Sequence, residues 1–326
     1  MGGMASRPAT MRNYQDLSAE TFQARVDDLQ RRYAECDLCA YDCQVDRTAR
    51  ETGACRVDDT AYVSAYFDHH GEEDVLRGHN GSGTIFLANC NMKCVLCQNF
   101  ETSHEARGDA VTSDEIADMA LELQERGCHN VYFVSPTHHS PHLVEAVMIA
   151  WEQGLEVPIV WNCGGYERAA ILELLDGVVD VYMSDVKWSD DAAAATYSKA
   201  PGYWSTVTES LREMHRQVGD LTVDATGLAT GGLLVRHLVM PDHVENAKDV
   251  LTFVAEEVSE DTFVNVMAQY RPHYKAKSEE RYEELGRRIT RSEYQSVLEH
   301  ARELGLDRLD YDRPMADAGG HGGLTL

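Results

Sequence analysis

Three cysteines stand together in CNMKCVLC: Cys90, Cys94 and Cys97, separated by three and then two residues. Thiolates this close on one loop can converge on a metal site. Four close a structural zinc or an ordinary iron–sulfur cluster. Three thiolates on a [4Fe–4S] cluster leave one iron with an open position, where a small molecule can chelate. A zinc site borrowing a distant ligand and unliganded buried cysteines are the other readings of the triplet. Upstream, Cys36, Cys39, Cys43 and Cys55 have the ligand count of a closed site. Zinc there would staple a segment with no core of its own. A second, auxiliary iron–sulfur cluster would exchange electrons with the first. Both accept four thiolates in a loop, so the spacing leaves both open. Of the nine cysteines, seven fall in these two clusters, a pattern of metal or catalytic sites rather than disulfides. Cys128, at a helix end, reads as packing.

The elements that must position these residues follow from hydrophobic periodicity. Phe22, Val26, Leu29 and Tyr33 share one face of an N-terminal helix. The four-cysteine segment after it has little apolar periodicity, so a metal or the main domain must hold it. From Thr84 onward short apolar strands alternate with amphipathic helices. TIFLANC, NVYFVSP, VPIVWNCGG, VDVYMSDVKW, GGLLVRHLVMP and TFVNVMAQYRP read as strands, and DRLDYDRP as a final extended segment. The helix beginning TSDEIADMALELQERG opens with Thr112 and Glu115 at capping-box spacing. Its face carries Ile116, Met119, Ala120 and Leu123. One long helix is expected from about Asp190 to Val218. Strand–helix alternation implies right-handed βαβ units and a parallel sheet. The fold class is α/β, a partial (β/α)6-type TIM barrel with an N-terminal Cys-rich appendage. The division expected is residues 1–80 for the helix and four-cysteine segment, 81–312 for the barrel, and 313–326 for a Gly-rich tail. In such barrels chemistry gathers at the C-terminal ends of strands, where this chain carries Cys90, SPTHH, NCGG, SDVK, RHLVMP and QYRP.

A net charge of −26, from 29 Lys+Arg against 55 Asp+Glu, disfavours a nucleic-acid groove. The acidic residues are spread along the chain, as on a solvated surface. No apolar run approaches the length of a membrane span, and the N-terminus lacks a secretory h-region. The expectation is a cytoplasmic protein without membrane or nucleic-acid partners.

The CxxxCxxC loop after the first strand of a partial barrel resembles the radical S-adenosylmethionine (SAM) superfamily. GSGTIFLANCNMKCVLCQNFETSH and the four-cysteine run CDLCAYDCQVDRTARETGACRV are similar to uncharacterised homologues of pyruvate formate-lyase-activating enzyme. The later strand ends match in order, so the resemblance spans roughly residues 33–312. It implies an oxidoreductase-class enzyme with a [4Fe–4S] cluster on Cys90, Cys94 and Cys97. The amino and carboxylate groups of SAM chelate the open iron. One electron then cleaves the sulfonium, and the 5′-deoxyadenosyl radical abstracts a hydrogen atom. The resemblance also implies an electron donor such as flavodoxin or ferredoxin. It further implies a protein substrate activated at a backbone glycine. Radical modification of another peptide or of a small molecule is the competing enzyme reading. A zinc or iron–sulfur electron-transfer protein is the non-catalytic one.

Residue by residue, Asp185 and Lys187 match the family's Asp-x-Lys motif on the fourth strand, which reaches SAM. Arg236 matches an Arg on the fifth strand that helps hold the cofactor. Asn162, Cys163 and Met183 fall where the activating enzyme has a monovalent-cation site. Read without the family, Asp185 and Lys187 are a strand-end ion pair and Arg236 a surface charge. Two departures stand out. Leu96 occupies the place of an aromatic beside the adenine. SPTHHSPH replaces a Gly-Gly-Glu that holds the methionyl amine, so Ser135, Thr137 or His138 would take that role, Thr137 foremost. As a His-rich run it also reads as a proton relay or a solvated loop.

Overall fold

Burial with a period of two sets the sheet. In this computed structural model, which describes residues 13–311, successive strand residues alternate between two apolar layers. Phe133, Trp161, Tyr182 and Val235 face the helices. Tyr132, Val160, Met183 and Leu234 face inward. The parallel strands are β2 (Ser82–Leu87), β4 (Val131–Val134), β5 (Ile159–Cys163), β6 (Val181–Asp185), β8 (Ala229–Leu238), β9 (Phe263–Met267) and β10 (Leu309–Tyr311). They pair in chain order, and each pair is parallel. This is the progression of a βα barrel, carried one short strand beyond the six expected.

The sheet does not close. One end is β10; the other is extended by β1 (Ala61–His69), antiparallel to β2, and β3 (Asp109–Val111), antiparallel to β1. The two-residue β7 (Thr222–Val223) pairs with β8 off this path. Residues 61–69, read from sequence with the N-terminal segment, therefore belong to the main sheet. The tail assigned to 313–326 lies outside the described residues.

Helices cover the outer face where periodicity places them. The helix Ala19–Arg31 buries Phe22, Val26 and Leu29, and Tyr33 is buried just beyond its end. Thr112 and Glu115 form the capping box of Ser113–Glu125. The single helix expected over 190–218 is broken. A turn at 191–198 ends at Lys199 (φ 55°), and Tyr203–Val218 starts after Gly202 (φ 63°). Pro201 between them has no N–H to continue the ladder. Among the described residues no helix is long and apolar enough to cross a membrane.

Candidate functional site

The cysteine loop is held from three sides. It leaves β2 through Asn89, whose φ is 69° and whose N–H reaches the Thr102 carbonyl. Lys93 and Val95 donate backbone N–H groups to the carbonyls of Ser198 and Tyr197, and Ala276 donates to that of Val95. The break at Pro201 thus leaves the 194–198 turn free to clamp the loop. Each sulfur also has a polar neighbour. Met92 N–H lies 3.4 Å from Cys90 Sγ, Cys94 Sγ–H donates to the Ser198 hydroxyl oxygen at 3.2 Å, and Cys97 Sγ lies 3.1 Å from the Ser103 hydroxyl, which donates to the Asn99 carbonyl. Ser198 in turn accepts Trp188 Nε1–H at 2.8 Å.

Burial raises the thiols of Cys94 and Cys97, the latter to about 12. Thiols so reluctant to ionise are poor nucleophiles, whereas a bound metal deprotonates its thiol ligands outright. Among the described residues no three Cys, His, Asp or Glu side chains form a single-ion cage. A [4Fe–4S] cluster asks for something else, one thiolate per iron spread about a cube. The donor set of Cys90, Cys94 and Cys97 on one loop, with the Met92 amide aimed at the Cys90 sulfur, fits such a cluster.

All three cysteines line one cavity of about 300 Å³, within the size range of small-molecule sites. The opposite wall is the inward row of the sheet. Register aligns Val134 with Asn162, Asp185 with Arg236, and Arg236 with Asn265. Asn162, Asp185, Lys187 and Arg236 therefore meet the cysteines there. Asp185 and Lys187 form an ion pair of 2.7 Å. Burial opposes the Lys187 charge, but Asp185 and the Cys94 sulfur outweigh it and raise its pKa. Leu96 also lines the cavity, with Leu238 and Met267, so aliphatic groups stand where the family has an aromatic.

Arg236 is neither a surface charge nor a free one. Its Nε lies 2.7 Å from Glu73 Oε1, and Nη2 bonds Glu72 and, at 2.5 Å, Glu73 Oε2. Asn265 Nδ2 also donates to Glu73, at 2.6 Å. Burial raises Glu72, but Arg236 and His69 together hold it at about 2. Arg236 Nη1 lies 3.3 Å from the Tyr132 hydroxyl, which accepts Asn162 Nδ2–H at 2.6 Å. That chain fixes the amide of Asn162 at the cavity wall. Cys163 lines the cavity, but the Met183 sulfur lies 3.0 Å from the Tyr132 hydroxyl.

The SPTHH segment is buried, not solvated. His138 and His139 both reach the Ala88 carbonyl, at 3.0 and 3.2 Å. Burial pushes His138 down to about 3, which keeps its ring neutral and leaves a relay little proton to carry. Thr137 is not among the residues lining the cavity; it donates to Glu167 Oε1 at 2.7 Å. Of the three residues proposed for the methionyl amine, Ser135 alone lines the cavity, in a left-handed conformation (φ 56°). Sequence reasoning missed Glu72, Glu73 and Tyr132. Adjacent acids ahead of β2 were visible as GEED, but their buried partner lies more than 160 residues away.

The four cysteines upstream are drawn together by their own backbone. Cys36 N–H donates to Val45 O and Gln44 N–H to Cys36 O, which sets Cys36 beside Cys43. A turn closes from Asp42 N–H to Cys39 O, and Ala54 N–H lies 3.4 Å from Cys43 Sγ. Gly53 packs so closely that a Cβ there would stand 2.6 Å from that sulfur.

Comparison with known proteins bears on this site. The sequence profile of the radical SAM superfamily matches residues 84–232, from β2 into β8. An uncharacterised protein of Methanocaldococcus jannaschii, MJ0674, is 34% identical over 289 residues, covering 86% of this chain and 78% of that protein. Among solved structures, a domain of pyruvate-formate lyase-activating enzyme from Bacteroides vulgatus has a TM-score of 0.40 at 12% identity, over 56% of this chain and 98% of that one. SuiB of Streptococcus suis has a TM-score of 0.47 at 10% identity, over 69% of this chain and 46% of that one.

Proposed function

The chain belongs to the radical SAM superfamily, and from that premise we propose that Cys90, Cys94 and Cys97 hold an open-site [4Fe–4S] cluster and that the cavity beside them takes SAM. The observation that carries the reading is the meeting of the three cysteines with Asn162, Asp185 and Lys187 around one cavity. When bound, the cluster and SAM supply one-electron cleavage of a carbon–sulfur bond and a radical able to abstract hydrogen.

The chain's own residues bind and shield. Lys187, held charged by Asp185, offers an ammonium to a carboxylate, and Asp185 offers a carboxylate to an amine. A zwitterion such as a methionyl group matches that pair. Asn162, oriented through Tyr132, adds an amide. Arg236 is a positioning residue, since Glu72 and Glu73 already neutralise its guanidinium. Leu87, Leu96, Leu238 and Met267 line the cavity with aliphatic surface that keeps water out.

For the substrate we take the backbone glycine of a partner protein. The family resemblance supports this reading. Anaerobically reconstituted protein should release 5′-deoxyadenosine from SAM on reduction. Cys94→Ala should lose the cluster's complement of about four irons and that release with it. A fully loaded wild-type protein that leaves SAM intact defeats the radical reading. A glycyl-radical doublet in electron paramagnetic resonance on mixing with a glycyl-radical enzyme would support the substrate. Cleavage with no such signal would turn the reading to another peptide or a small molecule.

A further inference from the structure

We propose that Cys36, Cys39, Cys43 and Cys55 hold a second iron–sulfur cluster that passes electrons from a one-electron protein donor to the open-site cluster. The inference rests on the radical reading above for what receives the electron.

The segment bonds the groups that flank the CxxxCxxC loop, by three separate routes. From Cys36, the Arg47 guanidinium (3.8 Å from the sulfur) bonds the His138 carbonyl at 3.0 Å. The His138 ring reaches Ala88 O, two residues before Cys90. From Cys39, Tyr41 bonds the Lys199 carbonyl through its hydroxyl, next to the Ser198 hydroxyl that faces Cys94. From Cys55, the neighbouring Arg56 bonds the carbonyl of His104, next to the Ser103 hydroxyl that faces Cys97. Every cysteine of the open site is thus a few bonded groups from a cysteine of the upstream set.

Two cations in this contact have no carboxylate among their hydrogen-bond partners. Arg47 is fully buried, and its partners are the carbonyls of Asp58 and His138 and the Cys36 sulfur. Lys93 Nζ is held by the carbonyls of Cys90 and Ser103. A buried cation such as Arg47 needs an anion nearby. A neutral Cys36 thiol does not supply one, whereas a metal-bound Cys36 thiolate does.

Zinc would be needed as a staple if the segment had no other support. It has support: Leu38 and Val57 are buried, and Arg47 anchors the loop to the barrel. With that task met, the closeness to the open site accounts for the four thiols. In the step, the donor gives one electron to the four-cysteine cluster, which returns to its oxidised state on reducing the open-site cluster. No proton or bond changes hands.

Metal content tests the site without reference to turnover. Reconstituted wild-type protein should bind about eight irons and no stoichiometric zinc, Cys39→Ala about four, and the Cys90, Cys94, Cys97→Ala triple variant about four. About four irons with one zinc that Cys39→Ala loses, or about four irons and nothing else, would overturn the proposal. Should Cys39→Ala fail to fold, the triple variant decides alone: an iron-free triple variant is equally fatal. In Cys39→Ala, dithionite should still reduce the first cluster, while reduction by reduced ferredoxin is lost. An unchanged rate with ferredoxin overturns the relay. These outcomes are independent of SAM cleavage, whose failure would instead defeat the open-site reading.

Discussion

Glu167 shows how a residue outside the family motifs can carry a measurable signature. Its carboxyl is fully buried between β5 and the Tyr203–Val218 helix, with Thr137 Oγ1 as its donor. Burial raises it to about 7, against the Thr137 hydrogen bond that pulls the other way. The unfolded carboxyl ionises near the ordinary glutamate value, so between there and pH 7 the unfolded state holds fewer protons than the folded one. This carboxyl's contribution to stability should then fall as pH rises through that window, by roughly 3 kcal/mol. Buried neutral His138 pulls the total the other way over the same pH range, so the signature is the wild-type denaturation profile minus that of Glu167→Gln. A difference that stays flat there would refute the assignment. At this scale the cysteine clusters were legible from type and spacing, whereas Asp185 and Lys187 were singled out by the family resemblance and read without it as the strand-end ion pair they form. Thr137 was not placed correctly, because sequence does not say which way a strand-end hydroxyl points.

Strand β2 sets where the three-cysteine loop begins, and Gly83 sets how closely β2 meets its neighbour. A Cβ on Gly83 would stand 2.5 Å from the Asn130 carbonyl oxygen and 3.0 Å from Leu123 Cβ. A backbone oxygen cannot swing aside as a side-chain tip can, so the strand must shift. Gly83→Ala should cost about 1–3 kcal/mol in chemical denaturation and reduce iron loading at the loop it feeds. Loading and stability equal to wild type would show that β2 tolerates the shift. Strands and caps were largely legible, since period-two burial and the Thr112 capping box are local signals. The break at 199–202 was not, although Pro201 and Gly202 marked it. Apolar spacing on both sides reads as one helix unless such breakers are given precedence.

Across the whole molecule, Arg236 on β8 joins the acids ahead of β2, Tyr132 on β4 and Asn265 on β9 inside the open barrel. Arg236→Met would strand two buried carboxylates and should cost about 3–5 kcal/mol. Adding Glu72→Gln and Glu73→Gln should recover much of that loss, because the uncompensated charge is then gone. A single variant as stable as wild type would mean that the guanidinium contributes little to closing the barrel interior. By itself the sequence determined the α/β progression, the two sets of cysteines and the strand-end residues. These follow from side-chain period and ligand spacing, which are properties of neighbours along the chain. Only the tertiary structure decided that Arg236 is spent on Glu72 and Glu73, that antiparallel β1 and β3 extend the sheet, and that the four-cysteine segment bonds groups beside the three-cysteine loop. Those outcomes depend on groups from 48 to 163 residues apart that meet only on folding. Residue order alone carries no record of which buried charge finds which partner.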